Sequence, residues 1–150
     1  MTKLLFVCHG NICRSPMAEF IMKQLVEQAG CAADFEIASA AVSTEEIGND
    51  IYPPAKRMLT AQGVPFEHRA ARQMTRRDYD YYNHIICMDQ SNLRWLRYII
   101  GEDSERKVSL LMQWAGKSRD VADPWYTGDF SVAYDDILEG CQAILQRFGK

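Results

Sequence analysis

The apolar residues fall into short unbroken runs and longer interrupted stripes, and the two alternate along the chain. Residues 3–8, with Leu4-Leu5-Phe6-Val7 inside them, predict a strand buried on both faces. Ser15-Pro16 predicts a helix start, with the hydroxyl at the N-cap and proline at the first helical position. Ala18, Ile21, Met22 and Leu25 then recur on one helical face until Gly30 stops it. Residues 35–39 read as a strand, 54–62 as a helix closed by Gly63, and 75–82 as a shorter helix. A buried strand over 84–88, a helix over 92–100 and a last strand over 108–112 follow. Residues 115–130 hold Gly116, Pro124 and Gly128 and predict a long loop. A closing helix over 131–148 carries Tyr134, Leu138, Cys141, Leu145 and Phe148 on one stripe.

Strands alternating with helices predict an α/β fold, a parallel sheet with helices on both faces. No repeat, low-complexity tract or linker divides the chain, so residues 1–150 are expected to form a single domain with a sizeable core. In such folds a ligand lies at the carboxyl ends of the strands, which puts the loop that begins at Cys8 in the expected place.

Composition narrows the partners. A net charge of −3 and a pI near 5.6 argue against a nucleic-acid or membrane-surface partner, so attraction for an anion must be built locally. No apolar run approaches the roughly 18 residues that span a bilayer, and Met1–Val7 is too short for a signal peptide. Five cysteines, an odd count with no Cys-x-x-Cys, fit neither a secreted disulfide framework nor a zinc site. A reduced, cytoplasmic protein is expected.

Cys8-His9-Gly10-Asn11-Ile12-Cys13-Arg14-Ser15 separates a cysteine from an arginine by five residues. Alone the pattern is weak: about 0.4 occurrences are expected by chance in this composition. Indeed Cys141 to Arg147 repeats it inside a helical stripe, where Cys141 reads as a small buried hydrophobe. Cys8 differs because it ends a strand and precedes Gly10 and Asn11, residue types that enter left-handed backbone easily. A loop curled that way turns successive N–H groups inward as an anion nest, and the helix beyond adds its positive end. Those donors bind phosphate and favour a thiolate over a thiol, so Cys8 is expected to be ionised at neutral pH, with Ser15 donating to its sulfur. The planar fork of Arg14 can follow two phosphoryl oxygens through a transition state.

Phosphate-ester hydrolysis also needs a proton donor for the leaving oxygen. Asp123 precedes Pro124, which restrains it to extended backbone, and lies beside Trp125 and Tyr126 in the long loop. From the residues alone Asp120 and Asp129 stay open as well. Asp89 faces the ligand side too, but reads first as the N-cap of the following helix.

Val7-Cys8-His9-Gly10-Asn11-Ile12-Cys13-Arg14-Ser15-Pro16, with Glu19 after it, resembles the signature loop of low-molecular-weight protein tyrosine phosphatases. Ser39-Ala40-Ala41, Ile86-Cys87-Met88-Asp89-Gln90-Ser91-Asn92-Leu93 and Asp123-Pro124-Trp125-Tyr126 are similar to further family segments, in order, so the resemblance covers essentially the whole chain. It implies a four-stranded parallel sheet and a phosphocysteine intermediate on Cys8, with no metal or cofactor. It implies that Asp123 protonates the leaving phenol and then activates water, while His9, Gly10, Asn11, Ile12, Cys13, Ser15, Trp125 and Tyr126 surround the substrate. Asn11 would be held left-handed by a network with Ser15, Ser39 and His68. Cys13 would be the second loop cysteine, able to form a reversible disulfide with Cys8. Three residues depart from the family pattern, namely His9 for an aliphatic residue, Glu45 near an aromatic pocket wall and Trp125 for tyrosine. The first two bear on substrate preference.

An aryl phosphate needs a pocket with apolar walls, which Ile12, Trp125 and Tyr126 can supply. Phosphotyrosine proteins or aryl phosphates are the expected substrates and inorganic phosphate the product. A protein-arginine phosphatase is the nearest alternative. A thiol-linked arsenate reductase would need a cysteine relay, for which this region offers only Cys87 in a buried strand, and a phosphate-binding module without turnover would have no use for Asp123.

Overall fold

A computed structural model gives the fold and describes residues 1–149. Strands β1 (Thr2–Cys8), β2 (Phe35–Ala41), β3 (His84–Cys87) and β4 (Val108–Leu110) form one parallel sheet in the order β2-β1-β3-β4. β1 is central, with Leu5 opposite Ala38 on one side and Ile85 on the other. Leu4, Leu5, Phe6 and Val7 have no exposed surface. A strand covered on both sides has no wet face, which is why its apolar run is continuous.

Leu4 and Phe6 face a layer built from α1 (Arg14–Gln28), α2 (Pro53–Ala61), α5 (Leu111–Trp114) and α7 (Phe130–Phe148). Leu5 and Val7 face the other layer, with α3 (Arg76–Tyr81) and α4 (Gln90–Ile100). Each fully buried side chain of this size contributes about 1.5–3 kcal/mol through burial. α7 carries Gly140 in its interior because a Cβ there would stand 2.5 Å from Leu111 Cγ. The close approach of α5 outweighs the roughly 1 kcal/mol that glycine costs a helix.

The element ends depart from expectation for identifiable reasons. α1 begins at Arg14 with Cys13 at its N-cap, so Ser15 lies inside the first turn. Its hydroxyl is engaged by Cys8 and Asn11 instead of by the helix end, and Pro16 is tolerated because first-turn N–H groups have no helical partner. β3 stops at Cys87 because Asn92 Oδ1 accepts the N–H groups of Met88 and Asp89 at 3.0 and 3.1 Å. β4, an edge strand whose last pair is Leu110 with Cys87, ends where its partner ends and turns into α5. The long loop contains a short helix, α6 (Pro124–Thr127), closed by Gly128 at φ 73°. On α7 the predicted Tyr134 and Cys141 lie in the core together with Ala133, Ile137 and Ile144, while Leu138, Leu145 and Phe148 pack at its edge. Among the described residues no helix is long and apolar enough to cross a membrane.

Candidate active site

Cys8 is the last residue of β1 and Arg14 the first of α1, and the loop between them curls at the carboxyl edge of the sheet. Asn11 takes a left-handed conformation, φ 60°, and is wholly buried. Gly10, the other residue expected to turn left-handed, does not. Its missing side chain serves close approach instead, since a Cβ would meet Glu46 Cγ at 3.2 Å. Among the described residues no acceptor takes the N–H groups of Gly10, Asn11, Ile12 and Cys13, which leaves them free for an anion.

The Cys8 sulfur is almost fully buried and lies 3.0 Å from Ser15 Oγ, with the Ser15 N–H at 3.4 Å. Asn11 Nδ2 donates to Ser15 Oγ at 2.8 Å and to Ser39 Oγ at 3.0 Å. Ser39 in turn donates to Glu19 Oε1 at 2.6 Å. With one Ser15 lone pair occupied by Asn11, its hydroxyl hydrogen has two acceptors in reach, the sulfur at 3.0 Å and the more distant Ala40 carbonyl at 3.5 Å. Cys13, buried at the N-cap, is different: burial first, then the charges of Cys8 and Asp123, push its thiol well above the usual range, so it stays protonated.

Arg14 is 2% exposed. Its Nη1 donates to Asp89 Oδ2 and to the Val121 carbonyl, both at 2.8 Å, and its Nη2 reaches Asp123 Oδ2 at 3.4 Å. Burial alone works against the guanidinium, but Cys8, Asp123 and Asp89 outweigh it and hold the charge more firmly than usual. Asp89 caps α4 as expected, accepting the Asn92 N–H at 2.8 Å on Oδ1, while its other oxygen orients Arg14. Asp123 caps α6, accepting the Trp125 N–H at 3.0 Å. Asp129 caps α7 through the Val132 N–H and Ser131 and does not reach the cleft, and neither does Asp120.

One cleft of about 110 Å³ is lined by the nearly buried Cys8, Cys13 and Arg14 together with Asp123, Ile12, Trp125 and Tyr126. Trp125 is half exposed and leans on Tyr52, ring centroids 4.8 Å apart, whereas Tyr126 is 84% exposed. At the rim His9 Nε2 lies 2.7 Å from Glu45 Oε2 and its ring meets Trp95 edge-on at 5.4 Å. Glu46, Tyr52 and Trp95 carry no motif and were not predicted from the sequence.

His68 departs from its expected place. Its side chain is 86% exposed and binds Asp50 Oδ2 at 2.9 Å, away from Asn11. Arg69 stands there instead, donating from Nη2 to the Asn11 carbonyl at 2.6 Å and to Asn11 Oδ1 at 2.5 Å. The Arg69 N–H is tied to Asp50 Oδ1 at 3.2 Å, which turns the arginine inward and leaves its neighbour in solvent. Burial pushes the Asp50 carboxyl up, but Lys56, the N–H groups of Ile51 and Arg69, and His68 outweigh it and hold it well below the ordinary carboxylate range. A carboxylate held low in the folded state stabilises above its unfolded value, near ~4, and ceases to as pH falls through the folded value. Asp50→Asn is expected to lower the thermal unfolding midpoint at pH 7, with the gap to the parent closing on acidification below about 4. A gap that is constant with pH would remove the ion pairs as its cause.

A thiol among free amides, a buried guanidinium and a carboxyl at the side together suit sulfur attack on a phosphoryl group with protonation of what leaves. Among the described residues no group of His, Cys, Asp and Glu side chains is arranged to hold a metal ion. Over residues 3–150 the chain matches the family model described as low molecular weight phosphotyrosine protein phosphatase. The low molecular weight protein-tyrosine-phosphatase YfkJ of Bacillus subtilis is 36% identical over 152 residues, spanning 100% of this chain and 97% of that protein. The YfkJ crystal structure aligns with a TM-score of 0.93 at 34% identity, covering 100% of this chain and 98% of that one. The low molecular weight phosphotyrosine protein phosphatase of Rattus norvegicus is 38% identical over 149 residues, 96% of this chain and 94% of that protein. A crystal structure of DARP, a drosophila arginine phosphatase, aligns with a TM-score of 0.89 at 30% identity over 99% of each chain. The chain belongs to the low molecular weight phosphotyrosine protein phosphatase family.

Proposed function

We propose that this enzyme hydrolyses phosphotyrosine in proteins through a phosphocysteine on Cys8, with Arg14 as phosphate clamp and Asp123 as general acid and base. The observation that carries this reading is the convergence of Cys8, Arg14 and Asp123 on one cleft whose loop amides are free. In the first step the Cys8 sulfur attacks phosphorus, the bond from phosphorus to the aryl oxygen breaks, and Asp123 gives its proton to that oxygen. In the second, water attacks the phosphocysteine, Asp123 takes the water proton, and the sulfur leaves with its electron pair as inorganic phosphate forms. The loop amides and Arg14 meet the charge that spreads over the equatorial oxygens.

Ile12, Trp125 and Tyr126 supply the apolar walls for a phenyl ring, and Trp125 is braced by Tyr52. The net charge of −3 supports a reading without nucleic-acid or membrane partners, and the unpaired Cys8 and Cys13 suit a reducing, cytoplasmic setting. An arginine phosphatase is the second reading, favoured by the likeness to DARP and by Glu45 and Glu46 at the rim, which suit a cationic phosphoguanidinium. Arsenate reduction is disfavoured because Cys87 has no exposed surface and burial pushes its thiol up. Steady-state hydrolysis of matched phosphotyrosine, phosphoserine and phosphoarginine peptides tests the substrate. The phosphotyrosine peptide is expected to have the highest kcat/KM; equal turnover of phosphoserine removes the aromatic pocket, and faster turnover of phosphoarginine selects the second reading.

A further inference from the structure

We propose that Arg69 is a positioning residue that fixes the phosphate loop from outside the cleft and couples it to the rim. The inference rests on reading residues 8–14 as the phosphate loop. Asn11 is the one residue of that loop in left-handed backbone, a conformation that costs a non-glycine residue roughly 1 kcal/mol or more. Something in the fold must hold it there. Its side-chain amide is held by Ser15 and Ser39 from within, and its two oxygens are gathered on the other side by one guanidinium nitrogen, Arg69 Nη2. The Arg72 N–H adds a third donor to Asn11 Oδ1 at 3.3 Å.

The peptide plane turns this grip into aim. In a planar trans peptide a carbonyl and the following N–H point to opposite sides. Drawing the Asn11 carbonyl outward to Arg69 therefore turns the Ile12 N–H the other way, and Ile12 lines the cleft. The same guanidinium reaches the Asn49 carbonyl through Nη1 at 3.2 Å, and the Arg69 N–H binds Asp50. Glu46, four residues before Asp50, packs over Gly10. Arg69 thus adds a side-chain tie between the loop and the segment that carries Glu45 and Glu46, beside the direct contacts of Ser43 with the His9 carbonyl, Glu45 with His9 and the Tyr52 N–H with the Ile12 carbonyl. Arg69 touches neither the sulfur nor the cleft, so its effect passes through Asn11.

Kinetics separate this role from a merely structural one. Loss of aim by an ångström costs on the order of 10²-fold in rate, so folded R69A is expected to lose about that much kcat/KM on small aryl phosphates. The loss is expected to be equal for good and poor leaving groups, because the proton step on Asp123 is untouched. R69K, whose single ammonium can bond Asn11 but cannot bridge it to the Asn49 carbonyl as two guanidinium nitrogens do, is expected to recover part of the loss, and R69Q carries the comparison should R69A not fold. Inorganic phosphate, as a competitive inhibitor, should bind R69A more weakly. Unchanged kcat/KM and phosphate inhibition, with only the unfolding temperature lowered, would overturn the proposal. So would R69K no more active than R69A, or a loss confined to poor leaving groups. Turnover that survives in C8S would instead remove the phosphate-loop reading itself, whatever the Arg69 variants do.

Discussion

Cys8→Ser is expected to abolish turnover, by about 10⁴-fold or more, on the scale seen when a covalent nucleophile is removed. It should leave inorganic phosphate binding largely intact. The two halves of the expectation come from different parts of the site. Binding belongs to the free amides of residues 10–13 and to Arg14, which Asp89 and Val121 hold in place whatever occupies position 8. Attack belongs to the sulfur alone. A serine hydroxyl fits the space but is a far weaker nucleophile toward phosphorus than a cysteine sulfur. Cys13 is the other thiol at the cleft, and its raised protonation makes it a poor substitute. Steady-state assays of C8S together with phosphate titration by calorimetry check both halves. Turnover within a few per cent of the parent, or a phosphorylated peptide other than that of Cys8 after rapid quench and mass mapping, means another nucleophile.

The parts of this site that follow from local chemistry are those legible in the sequence. β1 is legible because burial on both faces leaves a continuous apolar run, and the phosphate loop because a cysteine and arginine five apart have a strand before them and a helix start after. Strand ends are less so. β3 stops where Asn92 reaches back for two N–H groups, a contact that no period of two or 3.6 encodes. α6 was hidden because Pro124 and Gly128 read as breakers of a loop, although the same two residues open and close a four-residue helix. The exchange of His68 for Arg69 is the plainest case. Which of two adjacent side chains turns inward is decided by Asp50, eighteen or nineteen residues away, and by the reach of a guanidinium. Asp89 carried both of its possible roles at once because a carboxylate has two oxygens and the fold uses each separately.

Asp123→Ala is expected to lower kcat by about 10²–10⁴-fold for phosphotyrosine and other poor leaving groups, the usual reach of general acid catalysis. Activated aryl phosphates, whose phenolates leave unaided, should lose far less in the first step. The geometry gives the reason. Asp123 Oδ1 is held by the Trp125 N–H while Oδ2 faces Arg14 Nη2 at 3.4 Å, a long contact that a bound phosphoryl group would compete for. An arriving phosphoryl group that takes the guanidinium would leave Asp123 Oδ2 unpaired beside the leaving oxygen. After the phenol departs, the same carboxylate is placed to draw a proton from water. Without it, hydrolysis of the phosphocysteine slows as well, so D123A turning over an activated substrate should show a burst of phenol followed by a slower steady rate. A loss that is equal for good and poor leaving groups, with no burst, would take Asp123 out of both steps and reopen the choice among the other carboxylates at the cleft, Glu45 and Glu46.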